Sequence, residues 1–542
     1  MKIRVSTKLP MQRSINSLVV TALVLFTLPV FASSCENLAT AHFSDTTITK
    51  AEVITGGTFT SDSGEAITGL PPFCRVAAVI KPTSDSDIRV EVWMPESGWN
   101  GRIDGTGNGG LAGKISYGAL ANGLRIGYAV ANTDMGMATP PGADASVFVK
   151  QPERWIDWGY RATHVMTVLT KQVVSSYYAR DARKAYFTGC STGGEQALME
   201  AQRFPDDYDG IVGGAAANNR TGVHVSILWN FSVPQKTPDS YLPPAKVAML
   251  SKAVVNSCDL LDGVKDRLIA DPQTCNFDPE VLKCKKDDQD DCLTRSQVET
   301  VRALYSGPVN PRTRQSLYPG LSKGSEVGWD GFIQRSSLKS TAPYAPIFEW
   351  VFSLDWNWRH FDFDHDVDAL SHGLASAVNA TSGDIDTFRA HGHKLLMYHG
   401  WSDPLVTPGE AINYYNAVVT RDKSRRAENR RETSSVGDLH DSVDSSYRLF
   451  MVPGMEHCGG GPGPSNFDAL AAMVRWVEQG IAPDAIIATK VQPVEGGGTT
   501  KIQRLLCPYP RTARYNGIGS INDATSYKCM KPGSVSLKDT LR

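Results

Sequence analysis

The sequence lacks an excess of charge of either sign. Its 542 residues include 55 lysines and arginines and 57 aspartates and glutamates, which gives a formal net charge of −2. Proteins that hold a phosphate backbone present a basic surface, so this balance argues against a nucleic-acid partner. Hydrophobic residues make up 41% of the chain and charged residues 21%. That composition excludes a disordered, collagen-like or coiled-coil protein.

A long apolar run is also missing after residue 32, so we expect no membrane-spanning helix and no membrane partner. Residues 1–32 combine a basic start with an apolar stretch at 18–31. This pattern is typical of an export signal, and we expect cleavage after Ala32. A membrane anchor is the alternative, but it would need about 20 apolar residues. The chain is therefore expected to be secreted or periplasmic.

CxxC pairs are absent, which argues against a zinc site built on cysteines. The chain has ten cysteines, all after residue 32, and an even number in an exported protein predicts a disulfide framework. They are Cys35, Cys74, Cys190, Cys258, Cys275, Cys284, Cys292, Cys458, Cys507 and Cys529. Their spacing alone leaves the pairing open.

Short β-branched or aromatic runs bounded by Gly, Pro or Asp predict strands. These runs are 88–94, 128–132, 184–187, 210–212, 394–399 and 449–452. Apolar residues at helical spacing predict helices at 160–178 and at about 466–479. Alternating strands and helices indicate an α/β fold, with a mostly parallel sheet covered by helices on both faces.

Residues 216–385 interrupt this alternation with four cysteines, many aspartates and several aromatic residues. We interpret this stretch as an inserted domain, so that 33–215 and 386–542 together form the catalytic domain. The charged run at 421–431 is expected to be an exposed loop.

The most informative motif is Gly189-Cys190-Ser191-Thr192-Gly193. It matches G-x-S-x-G between a predicted strand and the helix-prone residues 195–203. Such a sharp turn exposes a serine oxygen above a parallel sheet. The alternative is an ordinary serine in a glycine-rich turn. A second match, at 320–324, follows Tyr318-Pro319 rather than an apolar strand, so we interpret it as a loop.

An acid and then a histidine should follow this serine along the chain. Asp403 comes just after the predicted strand 394–399, and His457 lies in the loop after the strand 449–452. We expect His457 to take the proton of Ser191 and Asp403 to orient the imidazole. Taken singly, a turn aspartate and a loop histidine would be the simpler interpretations.

An oxyanion formed at this serine would need backbone N–H donors. Thr192 directly follows the serine and is the first expected donor. The glycine-rich run at 105–110 follows the early strands, and Gly109 is our preferred second donor, ahead of Gly110. A phosphate-binding loop is the weaker alternative, because no GK[ST] follows this run.

Cysteines adjoin both the nucleophile and the base. Cys190 precedes Ser191, and Cys458 follows His457. If the serine and histidine lie within hydrogen-bond reach, the two cysteines come within disulfide distance. We therefore infer a bond that fastens the base to the nucleophile.

The motif at 189–194, together with Asp403 and His457-Cys458, resembles the CS-D-HC signature of the tannase and feruloyl esterase family. The similarity also includes 158–162, 199–205 and 209–212, and it extends over nearly all of the chain after residue 32. The resemblance implies an α/β-hydrolase core with a large lid inserted between the nucleophile and the acid.

The same resemblance implies how the cysteines pair and where a metal binds. The implied pairs are Cys190–Cys458, Cys35–Cys74, Cys258–Cys275, Cys284–Cys292 and Cys507–Cys529. A structural Ca²⁺ is implied in the lid, and no catalytic cofactor is expected. Its implied ligands are the carboxylates of Asp259, Asp262 and Asp266 and the backbone carbonyls of Val264 and Leu268. An acidic exposed turn is the alternative for this segment.

The implied activity is hydrolysis of esters of aromatic acids through a serine acyl-enzyme, with feruloyl or other hydroxycinnamoyl esters preferred. The substrate would be a small molecule or linked to a polysaccharide. A tannase or a terephthalate-monoester hydrolase is the alternative within the family. A secreted serine peptidase and a non-catalytic binding protein are alternatives from other classes, and the oligomeric state stays open.

Several aromatic residues of the lid are candidates for the acyl pocket, with lid core as an equal alternative. They are Trp350, Phe352, Trp356 and Trp358. His399, four positions before Asp403, is a further candidate for the pocket wall, with a core histidine as its alternative.

Overall fold

The computed structural model describes residues 33–62, 64–138, 145–331, 342–432, 442–493 and 497–531. The expected export signal at 1–32 lies outside the described residues. No helix of the described ranges is long and apolar enough to cross a membrane.

A nine-stranded sheet forms the centre of the protein, in the order β1-β4-β5-β7-β6-β8-β9-β10-β11. These strands are β1 (Thr46–Ile54), β4 (Phe73–Ile80), β5 (Ile88–Pro95), β6 (Arg102–Thr106), β7 (Ala129–Thr133), β8 (Lys184–Cys190), β9 (Gly210–Gly214), β10 (Lys394–Gly400) and β11 (Tyr447–Val452). The strands from β7 to β11 in this order run parallel, and β1, β4 and β5 add antiparallel pairs at one side.

Three two-stranded sheets lie outside the central one. They pair β2 (Gly57–Thr60) with β3 (Ala66–Leu70), β12 (Ile486–Pro493) with β13 (Thr499–Leu506), and β14 (Thr512–Tyr515) with β15 (Tyr527–Met530). The sequence patterns did not predict these hairpins, nor the strands β1, β4 and β6.

The helices are α1 (Tyr117–Arg125), α2 (Pro152–Ile156), α3 (Ala162–Tyr178), α4 (Thr192–Arg203), α5 (Arg220–Ser232), α6 (Pro244–Cys258), α7 (Arg295–Ser306), α8 (Ala345–Val351), α9 (His365–Val378), α10 (Asp386–Ala390), α11 (Pro408–Glu432) and α12 (Ala469–Gln479). Residues 421–431 therefore belong to α11, and the expectation of a loop there is wrong. Asp422 stabilises part of this helix, because its carboxylate pairs with Arg426 one turn later and with Arg389 of α10.

Neighbouring residues of the parallel strands pack into two different hydrophobic clusters. Phe187 and Ile211 join one cluster, together with residues of α3, α4 and α11. Tyr186 and Val212 join the other, together with residues of α1 and α12. Side chains alternate along a strand, so the sheet is covered by helices on both faces. This confirms the predicted α/β class and its mostly parallel sheet.

The described part of 216–385 contributes helices α5 to α9 and no strand of the central sheet. A separate cluster of buried residues, including Leu250, Val254, Val301 and Trp329, gives this insertion a core of its own. Two of the five disulfides also lie within it. The insertion thus follows β9 and returns to the sheet at β10, between the nucleophile and the acid.

Candidate active site

Ser191 occupies a tight turn between β8 and α4. Its backbone has φ +66° and ψ −117°, a conformation that costs free energy for any residue with a side chain. The turn also brings backbone segments unusually close: a Cβ added to Gly189 would lie 2.6 Å from the carbonyl oxygen of Gly193. Glycine at 189 is therefore required by space, and the turn presents the serine at the carboxyl end of the sheet.

The three polar residues that the sequence singled out meet at this edge. The Nε2 atom of His457 lies 2.9 Å from the Ser191 Oγ, and its Nδ1 lies 2.8 Å from the Oδ2 of Asp403. The loops after β8, β10 and β11 supply one residue each. Parallel strands end at the same edge, so residues more than 200 positions apart become neighbours.

Asp403 is fully buried and accepts hydrogen bonds on both oxygens. Its Oδ1 accepts from the backbone N–H groups of Leu405 and Val406, at 2.9 and 3.0 Å. Burial raises its pKa, but the charge of His457 and the hydrogen bonds from His399 and His457 together outweigh burial. The pKa of Asp403 is therefore held well below its usual value, and the carboxylate stays ionised beside the imidazole.

His399 is also fully buried, so it does not line an open pocket. Its Nε2 lies 2.8 Å from the Val406 carbonyl oxygen and 3.3 Å from the Asp403 Oδ2. A carbonyl only accepts hydrogen bonds, so Nε2 carries the hydrogen and points it at both oxygens. Asp403 thus has two histidine neighbours on one oxygen, a contact that the spacing of the sequence did not reveal.

The disulfide between Cys190 and Cys458 joins the neighbours of the serine and the histidine, with the Cα atoms 5.9 Å apart. The other four bonds join Cys35 to Cys74, Cys258 to Cys275, Cys284 to Cys292 and Cys507 to Cys529. These are the pairs that the family resemblance implies, and no cysteine of the described residues is free.

The expected oxyanion donors are the backbone N–H groups of Thr192 and Gly109. Thr192 is the first residue of α4, so its N–H has no acceptor within the helix. No described residue accepts a hydrogen bond from the N–H of Gly109. The loop holding Gly109 is tied to α4, because the Gly193 N–H donates to the Asn108 carbonyl at 2.8 Å.

The side chain of Thr192 takes part in the same connection. Its hydroxyl donates to the carbonyl of Gly110 at 2.6 Å and accepts from the guanidinium of Arg220 at 3.0 Å. Arg220 in turn pairs with Glu195 inside the protein, where burial raises the pKa of Glu195 to about 7 although the arginine opposes it. Sequence reasoning missed Arg220, because no local pattern marks an arginine whose partner lies 25 positions away.

The lid aromatics chosen as pocket candidates pack against other rings. Trp350 is only 2% exposed and meets Trp158 edge to face at 5.3 Å. Trp356 stacks on Phe348 at 4.4 Å, and Trp358 meets Phe231 at 5.0 Å. Phe352 likewise lies against Phe361. These contacts place the four candidates among core rings, which favours the alternative of lid core.

A different apolar cluster lies beside the triad. Leu405 and Val406, which bind Asp403 through their N–H groups, pack with Tyr318 and Val223, and Tyr344 covers the cluster partly. Ala217 belongs to the same cluster, and its N–H donates to the carbonyl of Ser191 at 3.2 Å. The cluster therefore places apolar side chains next to residues of the triad.

The expected calcium segment folds back on itself. The Oδ1 of Asp259 accepts the N–H groups of Asp266 and Arg267, so the loop closes around its own carboxylates. Burial, together with the charges of Asp266 and Asp259, raises the pKa of Asp262 to about 6. Mutual repulsion among buried carboxylates is a reason for a cation there, and oxygen ligands suit Ca²⁺.

One neighbour complicates this loop, since the guanidinium of Arg504 lies 2.5 Å from the Oδ2 of Asp266. Arg504 neutralises one of the three charges. Carboxylate and carbonyl oxygens are the donors that a hard cation binds, so the segment still offers ligands of the right kind.

Comparison with known proteins gives a consistent result. A family model described as Tannase and feruloyl esterase matches residues 74–530. An uncharacterized esterase of Xanthomonas campestris pv. campestris is 36% identical over 541 aligned residues, which cover 93% of this chain and 92% of that protein. Probable feruloyl esterase B-1 of Aspergillus terreus is 33% identical over 482 aligned residues, which cover 84% of this chain and 86% of that protein.

Solved structures that resemble this one belong to the same kinds of enzyme as the related sequences. Feruloyl esterase B from Aspergillus oryzae superposes with a TM-score of 0.80 at 28% identity, and the match covers 92% of this chain and 99% of that chain. Tannin acyl hydrolase from Aspergillus niger superposes with a TM-score of 0.66 at 21% identity, over 92% and 94% of the two chains, which shows a common fold.

Proposed function

Because this chain belongs to the tannase and feruloyl esterase family and is a carboxylic ester hydrolase, we propose that it cleaves esters of hydroxycinnamic acids through a serine acyl-enzyme. The observation that carries the proposal is the hydrogen-bonded chain from the Ser191 hydroxyl through His457 to Asp403. The preference for hydroxycinnamates over gallates rests on the feruloyl esterases among the relatives.

In this mechanism the Ser191 oxygen attacks the ester carbonyl carbon while its proton moves to the Nε2 of His457. The N–H groups of Thr192 and Gly109 bind the oxyanion that forms. When the tetrahedral intermediate collapses, His457 gives the proton to the leaving alcohol and an acyl-serine remains. Water then attacks the acyl carbon as its proton passes to His457. When the bond from the acyl carbon to the Ser191 oxygen breaks, His457 returns that proton to the serine oxygen and the acid is released.

The other residues of the site support these steps. Ionised Asp403 stabilises the imidazolium that forms on proton transfer, and its two backbone donors fix its position. Thr192, through its hydroxyl and Arg220, holds the glycine loop at the distance that oxyanion binding needs. The cluster of Leu405, Val406 and Tyr344 forms the wall against which the aromatic acyl group packs.

We also infer that the protein works outside the cytosol, since five disulfides persist only in an oxidising compartment.

Hydrolysis of a panel of methyl esters tests the proposed substrate class. We expect methyl ferulate and methyl caffeate to give the highest kcat/KM, with methyl gallate and a terephthalate monoester lower. A matched amide of ferulic acid should react far more slowly, because an amine is the poorer leaving group. A higher kcat/KM for gallate or for the terephthalate monoester would reassign the substrate within the family, and faster amide cleavage would favour a peptidase.

The pH profile tests the contact between His399 and Asp403. Without the His399 donor the Asp403 carboxylate is less stabilised by hydrogen bonding and holds the protonated form of His457 more firmly. On the acidic side of the profile, kcat/KM falls to half of its maximum at a certain pH. In His399→Leu this pH should therefore be higher by up to about one unit.

His399→Gln is the matched control, because its amide can still donate to Asp403, and its profile should stay near that of the parent. Glu456 is unchanged in both variants, so its raised pKa contributes equally. Superimposable profiles for all three proteins would show that His399 does not influence the triad.

We propose a structural Ca²⁺ at the loop of Asp259, Asp262, Val264, Asp266 and Leu268. The ion would neutralise the buried carboxylates and so stabilise this part of the lid, without entering the reaction. At 100 times its Kd, such an ion adds about 2.7 kcal/mol to the free energy of unfolding.

Thermal unfolding with Ca²⁺ or EGTA tests this site. The Tm of the parent protein should fall when EGTA replaces Ca²⁺, whereas Asp262→Asn should have one Tm in both buffers. Asp239→Asn, which changes an exposed lid aspartate, should respond like the parent. Equal Tm values for the parent in both buffers would contradict the proposal.

A further inference from the structure

Two turns meet at the edge of the sheet opposite the nucleophile. Asp206 lies in the turn between α4 and β9, and His391 and His393 lie in the turn between α10 and β10. β9 and β10 are adjacent and parallel, with Gly210 paired to Lys394 at their amino ends. The turns that lead into them are therefore neighbours, although they are about 185 residues apart in the chain.

Three potential metal ligands converge at this place. The Nδ1 of His391 lies 2.7 Å from the Oδ1 of Asp206. One ligand atom from each of Asp206, His391 and His393 lies within 4.8 Å of the other two. Metal–nitrogen distances of about 2.0–2.1 Å place tetrahedral ligands about 3.3 Å apart, so small side-chain rotations are enough to close the set around an ion.

The backbone between the two histidines favours this arrangement. Gly392 has φ +81°, a left-handed conformation that residues with a Cβ rarely adopt. The reversal at Gly392 brings the imidazoles of His391 and His393 together, with ring centroids 5.8 Å apart and planes at 90°. Two imidazoles on a tight turn can therefore reach one ion without displacing a strand.

An acidic cavity adjoins the cluster. It has a volume of about 370 Å³, and its lining includes His393 and the carboxylates of Asp181, Asp206, Asp207 and Asp209. Lys171 and Lys184 neutralise part of this charge, through contacts with Asp207 and Asp209. The four carboxylates outnumber the two lysines, and their negative charge favours a cation beside His393.

We propose that Asp206, His391 and His393 bind one divalent transition-metal ion of the Zn²⁺ type. Two imidazoles and one carboxylate suit Zn²⁺, and Cu²⁺ or Ni²⁺ would bind the same donors. Asp206 and His391 are exposed, so water fills the remaining coordination positions. This site is chemically distinct from the proposed calcium loop, which offers only oxygen.

The ion would have a structural role. The seven residues of β8 lead from this edge to Ser191, and at about 3.3 Å per residue they separate the two edges by about 20 Å. At that distance the metal touches no reacting atom. Bound to both turns, it would instead join the end of α4 to the start of β10, across two strands that the inserted domain separates in sequence.

A second set of donors lies nearby and serves as the rival site. It consists of His164, Glu200 and Asp207, of which Glu200 is fully buried. The ammonium group of Lys171 lies 3.9 Å from the Asp207 carboxylate, and its positive charge opposes a cation there. Lys171 also donates to the backbone carbonyl of Asp206 at 3.1 Å, so its charge lies near both sets. The set of Asp206, His391 and His393 is the better site because it offers two imidazoles, whereas the rival offers one imidazole and two carboxylates.

Titration of the full chain with Zn²⁺ in Ca²⁺-containing buffer tests the proposal, with calorimetry as the readout and Co²⁺ absorption as an independent one. We expect the parent to bind one Zn²⁺ that the double variant His391→Ala/His393→Ala does not bind, and to give a Co²⁺ d–d band that this variant lacks. His365→Ala, which removes an exposed histidine elsewhere on the lid, should behave like the parent.

The single variant His393→Gln should weaken Zn²⁺ binding at least about 10-fold, because one of three protein ligands is lost. Hydrolysis of methyl ferulate should be equal in all these proteins, so the result stands apart from the proposed function. The site would be overturned if the parent did not bind Zn²⁺. It would also be overturned if the parent and the double variant bound Zn²⁺ equally, and that result would point to the rival donors.

Discussion

Replacing Ser191 with alanine is expected to lower kcat/KM for methyl ferulate on the order of 10⁴- to 10⁶-fold. The loss is this large because the nucleophile and the general base act as one unit, and removal of the serine hydroxyl leaves the imidazole nothing to activate. Residual hydrolysis would come from substrate binding and the oxyanion donors alone. Initial rates measured over a range of ester concentrations, with purified protein, give the comparison.

Two controls make this result specific to Ser191. Ser322→Ala changes the serine of the second G-x-S-x-G match, at 320–324, and should leave kcat/KM unchanged. A fluorophosphonate probe should label the parent and Ser322→Ala but not Ser191→Ala. If Ser191→Ala keeps the circular dichroism spectrum of the parent and also its turnover, the serine mechanism is wrong.

Removal of the disulfide between Cys190 and Cys458 is expected to reduce both stability and catalysis. The bond closes a loop of 268 residues, and chain entropy assigns such a loop about 5.6 kcal/mol. It also fixes the backbone beside Ser191 and His457, and misplacement of reacting groups by about 1 Å costs roughly 10²-fold in rate. We therefore expect Cys190→Ala/Cys458→Ala to unfold in less denaturant and to lose about 10²-fold in kcat.

The pair Cys284–Cys292 supplies the matched control, because it closes a loop of only 8 residues within the lid. The same entropy argument gives it about 2.5 kcal/mol, and it lies in a part of the chain that contributes no triad residue. Cys284→Ala/Cys292→Ala should thus lose less stability and keep the parent kcat. Equal catalytic losses in the two double variants would show that the bond beside the triad has no positioning effect.

The sequence predicted the parallel core except for β6, and it predicted the candidate triad, because both depend on local signals. Each parallel strand is a short buried run next to a turn, and Ser191, Asp403 and His457 each follow such a run. Strand order along the chain then places all three at one edge of the sheet. Nothing beyond periodicity and chain order is needed for that inference.

Of the antiparallel strands in the central sheet, β5 was predicted but β1 and β4 were missed, and β4 shows a physical reason. β4 carries Arg75 into a buried position, where its guanidinium pairs with Glu91 of β5 and with Glu52 of β1. A buried arginine interrupts the apolar pattern that marks a strand. Its partners come from other strands, so only the assembled sheet shows why the charge is tolerated.

The charged segment of α11 and the role of Arg220 were missed in the same way. Asp422 is stabilised within the helix by Arg426 and across to α10 by Arg389, and neither contact follows from composition. Arg220 of α5 meets Glu195 and Thr192 of α4, which β9 separates from it in the chain. Sequence patterns therefore predicted least about polar contacts between segments that are distant in the chain.

The sulfur bridge between the neighbours of the nucleophile and the base has a consequence for biosynthesis. A chain still in a reducing cytosol would hold Cys190 and Cys458 as thiols, and its serine and histidine would lack their covalent tie. Full hydrolytic competence would then arise only on oxidation, after the polypeptide has left the compartment where it was made. The timing of thiol oxidation would then protect the producing cell's own esters from hydrolysis.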